Sequence, residues 1–180
     1  MPIVRDKKIE VLFSASEIAN RNGQLAEEIA LSDLNNPVVI SILKGSFVFA
    51  ADLIRAMHDA GMSPEVEFIS ISSYGAGTEA GEPVVLRDVE TDVEGRDVIL
   101  IDDILESGGT LKFTRDLMNE RGANKVAIVA LLDKSMKRKN DLNADYVGFD
   151  CPDKFVVGYG MDVGHAFREL PFVGVVTGDV

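Results

Sequence analysis

The sequence predicts an α/β fold: a central, mostly parallel sheet flanked by helices, with a small hood built from the C-terminal segment and the N-terminus. Three observations carry that reading. Apolar runs at residues 37–43, 98–101 and 126–132 have the length and Val/Ile/Leu content of strands buried on both faces. Between them, apolar residues recur at helical spacing. Glycines or acids follow the runs, in the rhythm strand, turn, helix, strand.

The elements follow in order. Ser14-Ala15-Ser16-Glu17 has the spacing of a capping box and opens a helix with Ile18, Leu25, Ala26 and Ile29 on one face. Gly45 breaks the first strand. Phe47, Ala50, Ala51, Ile54 and Met57 then place a second helix that ends at Gly61. Residues 66–72 alternate as a strand does. Residues 75–83 carry three glycines and no apolar anchor, which predicts a mobile loop. The run at 98–101 ends in acids, a third helix spans Thr110 to Gly122, and residues 126–132 form another buried strand. Short strands around 155–159 and 173–176 predict the hood. No repeat or linker interrupts the chain, so residues 1–180 are expected to form a single domain.

Composition removes several classes of function. A net charge of −12 argues against nucleic acid as a partner, because neutralising a phosphate backbone needs a Lys/Arg surface. Hydrophobic residues at 46% and charged residues at 27% suit a soluble globular chain without reaching a transmembrane pattern. The charged start, residues 1–10, lacks the apolar core of a signal peptide. The lone Cys151 permits no internal disulfide and has no His nearby to make it a nucleophile. The expected location is the cytoplasm.

The chemistry is concentrated in Asp102-Asp103-Ile104-Leu105-Glu106-Ser107-Gly108-Gly109-Thr110. Such a turn offers backbone N–H groups, hydroxyls and the positive end of a helix dipole, which together cradle a phosphate. Two carboxylates beside a phosphate would repel it unless they accept from sugar hydroxyls or hold a cation. Taken singly, a Gly-Gly turn is usually only a turn, and paired acids at a strand end are often only solvated. Other phosphate motifs fit poorly: Gly109 stands where a Walker lysine would precede Thr110, and no G-x-G-x-x-G follows a strand. A receiver-type phosphoacceptor would carry its acids after the first strand, and these follow a late one.

Residues 98–111, VILIDDILESGGTL, resemble the signature of type I phosphoribosyltransferases. Further stretches resemble the hypoxanthine-guanine branch of that family: Leu43-Lys44-Gly45, Ser73-Tyr74-Gly75, Leu131-Leu132-Asp133-Lys134, PDKFVVGY at 152–159, Met161-Asp162 and Arg168. The resemblance implies the type I phosphoribosyltransferase fold and transfer of the phosphoribosyl group of phosphoribosyl pyrophosphate to hypoxanthine or guanine, with Mg2+ as cofactor. It implies that Asp102 and Asp103 lie by the ribose hydroxyls and the metal, with Asp162 a further metal ligand and a neighbour of the purine. Glu106, Ser107, Gly108, Gly109 and Thr110 would hold the 5′-phosphate, and Glu106 would also take the purine ring proton. Lys44 and Gly45 would bind pyrophosphate through a loop whose Leu43–Lys44 peptide is typically cis, with Arg168 as a clamp. Lys134 would donate to the base O6, Phe155 would stack on the purine, and the Val156 main chain would read its edge. Ser73 and Tyr74 would head a loop, residues 73–83, that closes over the substrates. His58 and His165 match no site of the family.

Two positions depart from that pattern. Glu106 and Ser107 stand where the family more often has Asp and Thr, and Glu79-Ala80-Gly81 replaces small hydroxylated residues. The family also commonly forms homodimers or homotetramers. Two rivals remain at this point: a phosphoribosyl-pyrophosphate-sensing regulator of the same fold, which needs a basic face that a charge of −12 disfavours, and a xanthine-preferring transferase.

Overall fold

The capping box at Ser14 forms in the structure, a computed structural model that describes residues 3–4, 7–73 and 83–177. Ser14 Oγ accepts from the Glu17 N–H at 3.3 Å, and the Glu17 carboxylate accepts from the Ser14 N–H at 2.8 Å. Helix α1, Ala15–Ala30, follows and buries Ile18, Leu25, Ala26 and Ile29, the face its spacing specifies. Two strands precede it, β1 (Ile3–Val4) and β2 (Lys7–Phe13). After it come β3 (Val38–Leu43), α2 (Phe47–Asp59), β4 (Glu65–Ser73), β5 (Pro83–Arg87), β6 (Asp97–Leu105), α3 (Gly109–Glu120) and β7 (Lys125–Asp133). A 3₁₀ turn at Ser135–Lys137, β8 (Tyr146–Asp150), β9 (Val156–Val157) and β10 (Val173–Thr177) complete the order.

Six strands form the main sheet in the order β5-β4-β3-β6-β7-β8, parallel except for β5. Helices α1 and α2 cover one face, where Val39, Ile99, Ile101, Val129 and Leu131 are buried. On the other face, Leu111 and Met118 of α3 pack on Val38, Ile40, Val98, Leu100 and Ile128. The path β3-α2-β4 winds away from β6, and β6-α3-β7 winds away from β3. Strand order therefore reverses between β3 and β6, and a crevice opens at their carboxyl ends. The second sheet, β1-β2-β10-β9, is antiparallel and joins the N-terminal segment to the C-terminal one, as expected of the hood.

Two expectations are corrected, and two strands are new. Helix α2 buries Ala50 and Met57 as expected but fills the rest of its stripe with Phe49 and Leu53, whereas Phe47 is exposed and Ala51 and Ile54 are only partly buried. Strand β6 does not end at its acids: it runs through Asp102 and Asp103 to Leu105, with Asp102 opposite Ala130 and Ile104 opposite Leu132. The edge strands β5 and β8 have no counterpart in the sequence reading. Each is short, β5 mostly exposed and β8 largely half-exposed, without the continuous apolar run that marks a buried strand. The expected loop over residues 75–83 and Tyr74 lie outside the described residues, apart from Pro83, whose backbone pairs with Ser73. Among the described residues no helix is long and apolar enough to cross a membrane.

Candidate active site

Three concavities surround the carboxyl end of β6, the third sharing lining residues with each of the other two. The first lies over the turn into α3 and measures about 180 Å³, lined by Asp102 and residues 104–111. Gly108, at φ 82°, turns the chain into α3. The carbonyls of this loop are tied outward: Ser107 O accepts from the Lys139 N–H, the Asn140 N–H and Asn140 Nδ2, and Glu106 O accepts from Arg138 Nη1. Arg138 is held in turn by an ion pair to Asp133. With its carbonyls engaged behind it, the loop presents to the concavity the first-turn amides of α3, which have no intrahelical acceptor. Those amides, the hydroxyls of Ser107 and Thr110 and the helix dipole suit a phosphate monoester.

The second concavity, about 430 Å³, is lined by Leu43, Lys44, Gly45, Ser70, Ser72, Asp103, Asp162 and Arg168, among others. The Leu43–Lys44 peptide is cis, as the resemblance implies. Two glycines allow three chain segments to stack here. A Cβ on Gly45 would sit 1.9 Å from Asp103 Oδ2, and one on Gly160 would sit 2.2 Å from the Gly45 carbonyl oxygen. The hood thus rests on the β3 loop, and the β3 loop rests on the end of β6. Arg168 donates to Gly160 O at 2.6 Å and pairs with Asp162 at 2.7 Å, while Asp162 also accepts from the His165 N–H at 2.8 Å. The guanidinium therefore lines the concavity already oriented, a planar fork suited to phosphate oxygens.

The third concavity, about 220 Å³, is lined by Asp103, Ile104, Glu106, Lys134, Lys137, Lys154, Phe155, Val156, Met161 and Asp162. Lys134 follows β7 directly and is 6% exposed. Its ammonium lies 3.7 Å from Glu106 Oε1. Lys137 reaches the same oxygen at 3.3 Å and Asp153 at 2.8 Å. Phe155 is 53% exposed, so one ring face is open at the mouth, whereas Val156 is buried and its backbone pairs with β10. A flat heterocycle with a hydrogen-bond acceptor on its edge matches this lining.

Asp102 and Asp103 do not share one environment. Asp102 is 8% exposed and lines the phosphate concavity, and burial first, then the neighbouring Asp103 charge, hold its carboxyl well above the usual range. Asp103 and Asp162 instead line both other concavities. A cation between these acids would relieve the penalty. The described residues contain no cluster of three or more His, Cys, Asp or Glu side chains able to hold a metal. Asp103 and Asp162, which line the same two concavities, are the carboxylates that could hold a cation together with substrate phosphates and water.

The structure therefore gathers Lys44, Gly45, Asp102, Asp103, Glu106, Ser107, Gly108, Gly109, Thr110, Lys134, Phe155, Val156, Asp162 and Arg168 around the end of β6. Ser73 closes β4, and Tyr74 lies outside the described residues. Sequence reasoning missed Arg138 and Lys137, and quoted Met161 in the resemblance without giving it a role. Lys137 and Arg138 were legible only as part of a basic run, which by itself reads as solvated surface. Both histidines are exposed, and burial pushes the Cys151 thiol up, consistent with an inert cysteine.

Residues 10–163 match the phosphoribosyl transferase domain family. The chain is 42% identical over 168 residues to the hypoxanthine-guanine phosphoribosyltransferase of Dictyostelium discoideum, covering 92% of this chain and 93% of that one. It is 43% identical over 169 residues to the enzyme of the same name from Bacillus subtilis, covering 93% and 92%. Among solved structures, the hypoxanthine phosphoribosyltransferase of Trypanosoma cruzi in complex with the product IMP superposes with a TM-score of 0.89 at 36% identity, covering 98% of each chain.

Proposed function

The chain belongs to the phosphoribosyl transferase family, in its hypoxanthine-guanine branch, and on that premise we propose that the three adjoining concavities carry the 5′-phosphate, the pyrophosphate and the purine of one reaction. The reaction transfers the 5-phosphoribosyl group of phosphoribosyl pyrophosphate to hypoxanthine or guanine, giving IMP or GMP and pyrophosphate. The observation that carries the assignment is the sharing of walls: Asp103 lines both the purine and the pyrophosphate concavities, and Glu106 lines both the purine and the phosphate concavities. A ribose spanning the phosphate cradle and the Lys44 loop would lie with its anomeric carbon toward the purine concavity.

The loop amides and hydroxyls of residues 106–110 hold the 5′-phosphate. Lys44 and Arg168 bind pyrophosphate and stabilise the charge it gains as the C1′–O bond breaks. Purine N9 forms the new bond to C1′, and the ring proton it displaces passes to Glu106. The positive charge that grows on the ribose is answered by Asp102 and Asp103. Phe155 stacks on the base, and Lys134 donates to O6. Asp102, Asp103 and Asp162 would hold Mg2+, which would supply Lewis-acid neutralisation of the pyrophosphate.

Pyrophosphate release with hypoxanthine, guanine, xanthine, adenine and uracil in turn tests this function. Turnover of the first two is the expected result; xanthine alone as substrate would favour the xanthine-preferring alternative. With chelator in place of Mg2+, turnover is expected to fall to background, because Lys44 and Arg168 carry too little charge for pyrophosphate. Undiminished turnover in chelator refutes the metal assignment. A homodimer or homotetramer is the expected assembly, supported by exposed Val66 and Phe68 on one face of β4 beside a groove of Ile54, His58 and Met62. Sedimentation checks it.

A further inference from the structure

One buried polar group in the hood plays no part in the chemistry above. Tyr159 is 5% exposed, and its ring enters the core cluster between the sheet and helices α1 and α2. Its hydroxyl donates to Asp52 Oδ2 of α2 at 2.5 Å and accepts from Asn22 Nδ2 of α1 at 2.9 Å. The direction of both bonds is fixed. A carboxylate only accepts, so the single phenolic proton goes to Asp52, and Asn22 must present its amide N–H to the phenol oxygen. That choice strands Asn22 Oδ1, which is buried with no partner among the described residues. Leaving a buried amide oxygen unpaired is costly, and the tyrosine hydroxyl is what imposes it.

The backbone around Tyr159 shows what this anchoring serves. Tyr159 sits at φ 51°, an uncommon conformation for a residue with a Cβ. Its N–H is bonded to Leu170 O at 2.8 Å, and the next residue, Gly160, is bonded to Arg168 O at 3.0 Å. Gly160 is the residue that lies against the Gly45 carbonyl and accepts from Arg168. On the other side, α2 begins at Phe47, directly after the Lys44-Gly45-Ser46 loop, so Asp52 belongs to the element that carries that loop. The Tyr159–Asp52 bond thus joins the two chain segments that face each other across the pyrophosphate concavity.

We propose that Tyr159 is a positioning residue for the pyrophosphate half of the site: its hydroxyl, tied to α2 through Asp52 and to α1 through Asn22, seats Gly160 on Gly45 and so sets the distance from Arg168 and Asp162 to Lys44. The stacking wall of the base half is held independently, although Met161 and Asp162 also line that concavity. Phe155 precedes β9 and Val156 lies in it, fixed by pairing to β10 rather than by the Tyr159 hydroxyl. The proposal rests on the transferase reading, and the predicted effect is a split between the two substrates.

Steady-state constants for Tyr159→Phe read the split. The KM for phosphoribosyl pyrophosphate is expected to rise about tenfold, the scale of a lost hydrogen bond to a charged group. The KM for hypoxanthine is expected to stay within about twofold. Asp52→Asn keeps a carbonyl that can accept from the phenol and should restore most of the affinity lost in Asp52→Ala. Tyr159→Phe should add little on top of Asp52→Ala, since both remove one bond. If Tyr159→Phe does not fold, the Asp52 pair of variants reads the same split. Calorimetric titration of phosphoribosyl pyrophosphate with Mg2+, without base, measures the contact apart from turnover. Absence of turnover in the parent would sink the transferase reading, whereas the variant-to-parent ratio judges Tyr159. An unchanged KM for phosphoribosyl pyrophosphate, equal rises in both KM values, or a lower Tm with neither KM altered overturns the proposal.

Discussion

Exchanging Glu106 for glutamine is expected to lower hypoxanthine turnover by about 10²- to 10⁴-fold, the range that a general acid–base group contributes. The carboxylate lies in the purine concavity, close to Lys134 and Lys137 and within the loop that cradles the phosphate. Glutamine keeps the length of the side chain and an acceptor oxygen but cannot take a ring proton. The loss therefore belongs in kcat, measured in single turnover, with KM values changing much less. Glu106→Asp shortens the chain by one methylene to the residue more common in the family and should retain much of the activity. If Glu106→Gln turns over hypoxanthine within about twofold of the parent, far below that catalytic range, the loop backbone does the work and Glu106 is not the base.

Adenine is expected to be a poorer substrate than hypoxanthine by roughly 10⁴-fold in kcat/KM. Lys134 has only donors, and it is almost wholly buried at the wall of the purine concavity. Hypoxanthine offers O6 as an acceptor there. Adenine offers an amino group, so two sets of donors would face each other with no water to separate them. Lys134→Gln places an amide at the same spot, which can turn its oxygen toward an amino group or its nitrogen toward a carbonyl. The variant should lose much of its rate with hypoxanthine and most of its discrimination. Comparable turnover of the two bases by the parent would refute the placement of Lys134.

The parts of this molecule that sequence made legible are those set by local pattern. Ser14 and Glu17 announce the start of α1 because a capping box needs two residues at a fixed spacing. The buried strands β3, β6 and β7 are legible because both of their faces are apolar. Lys134 and Asp162 were found only by resemblance, since a lysine after a strand and an aspartate in a turn have ordinary explanations. The role of Arg138 could not be read, because it depends on the carbonyl of Glu106 and the carboxylate of Asp133 meeting in space. The buried stripe of α2 was misread for a related reason: Phe47 fits the helical period as well as Phe49 does, and only packing against α1 decides between them.

The antiparallel pairing of β2 with β10 sets an order of assembly. Lys8 lies opposite Thr177 and Val11 opposite Gly174, so the hood joins segments from near the two ends of the described chain. On a ribosome, β2 emerges early with only the two-residue β1 beside it, and its other edge waits until β10 has been made. The main sheet needs no such wait, because β3, β4, β6 and β7 are linked through nearby helices and can pair as they appear. Gly160 can settle on Gly45, and Arg168 can reach the pyrophosphate concavity, only after that late pairing. A nascent chain would therefore acquire its phosphate cradle well before its purine pocket, and would pass through a stage with a folded sheet and no capacity to select a base.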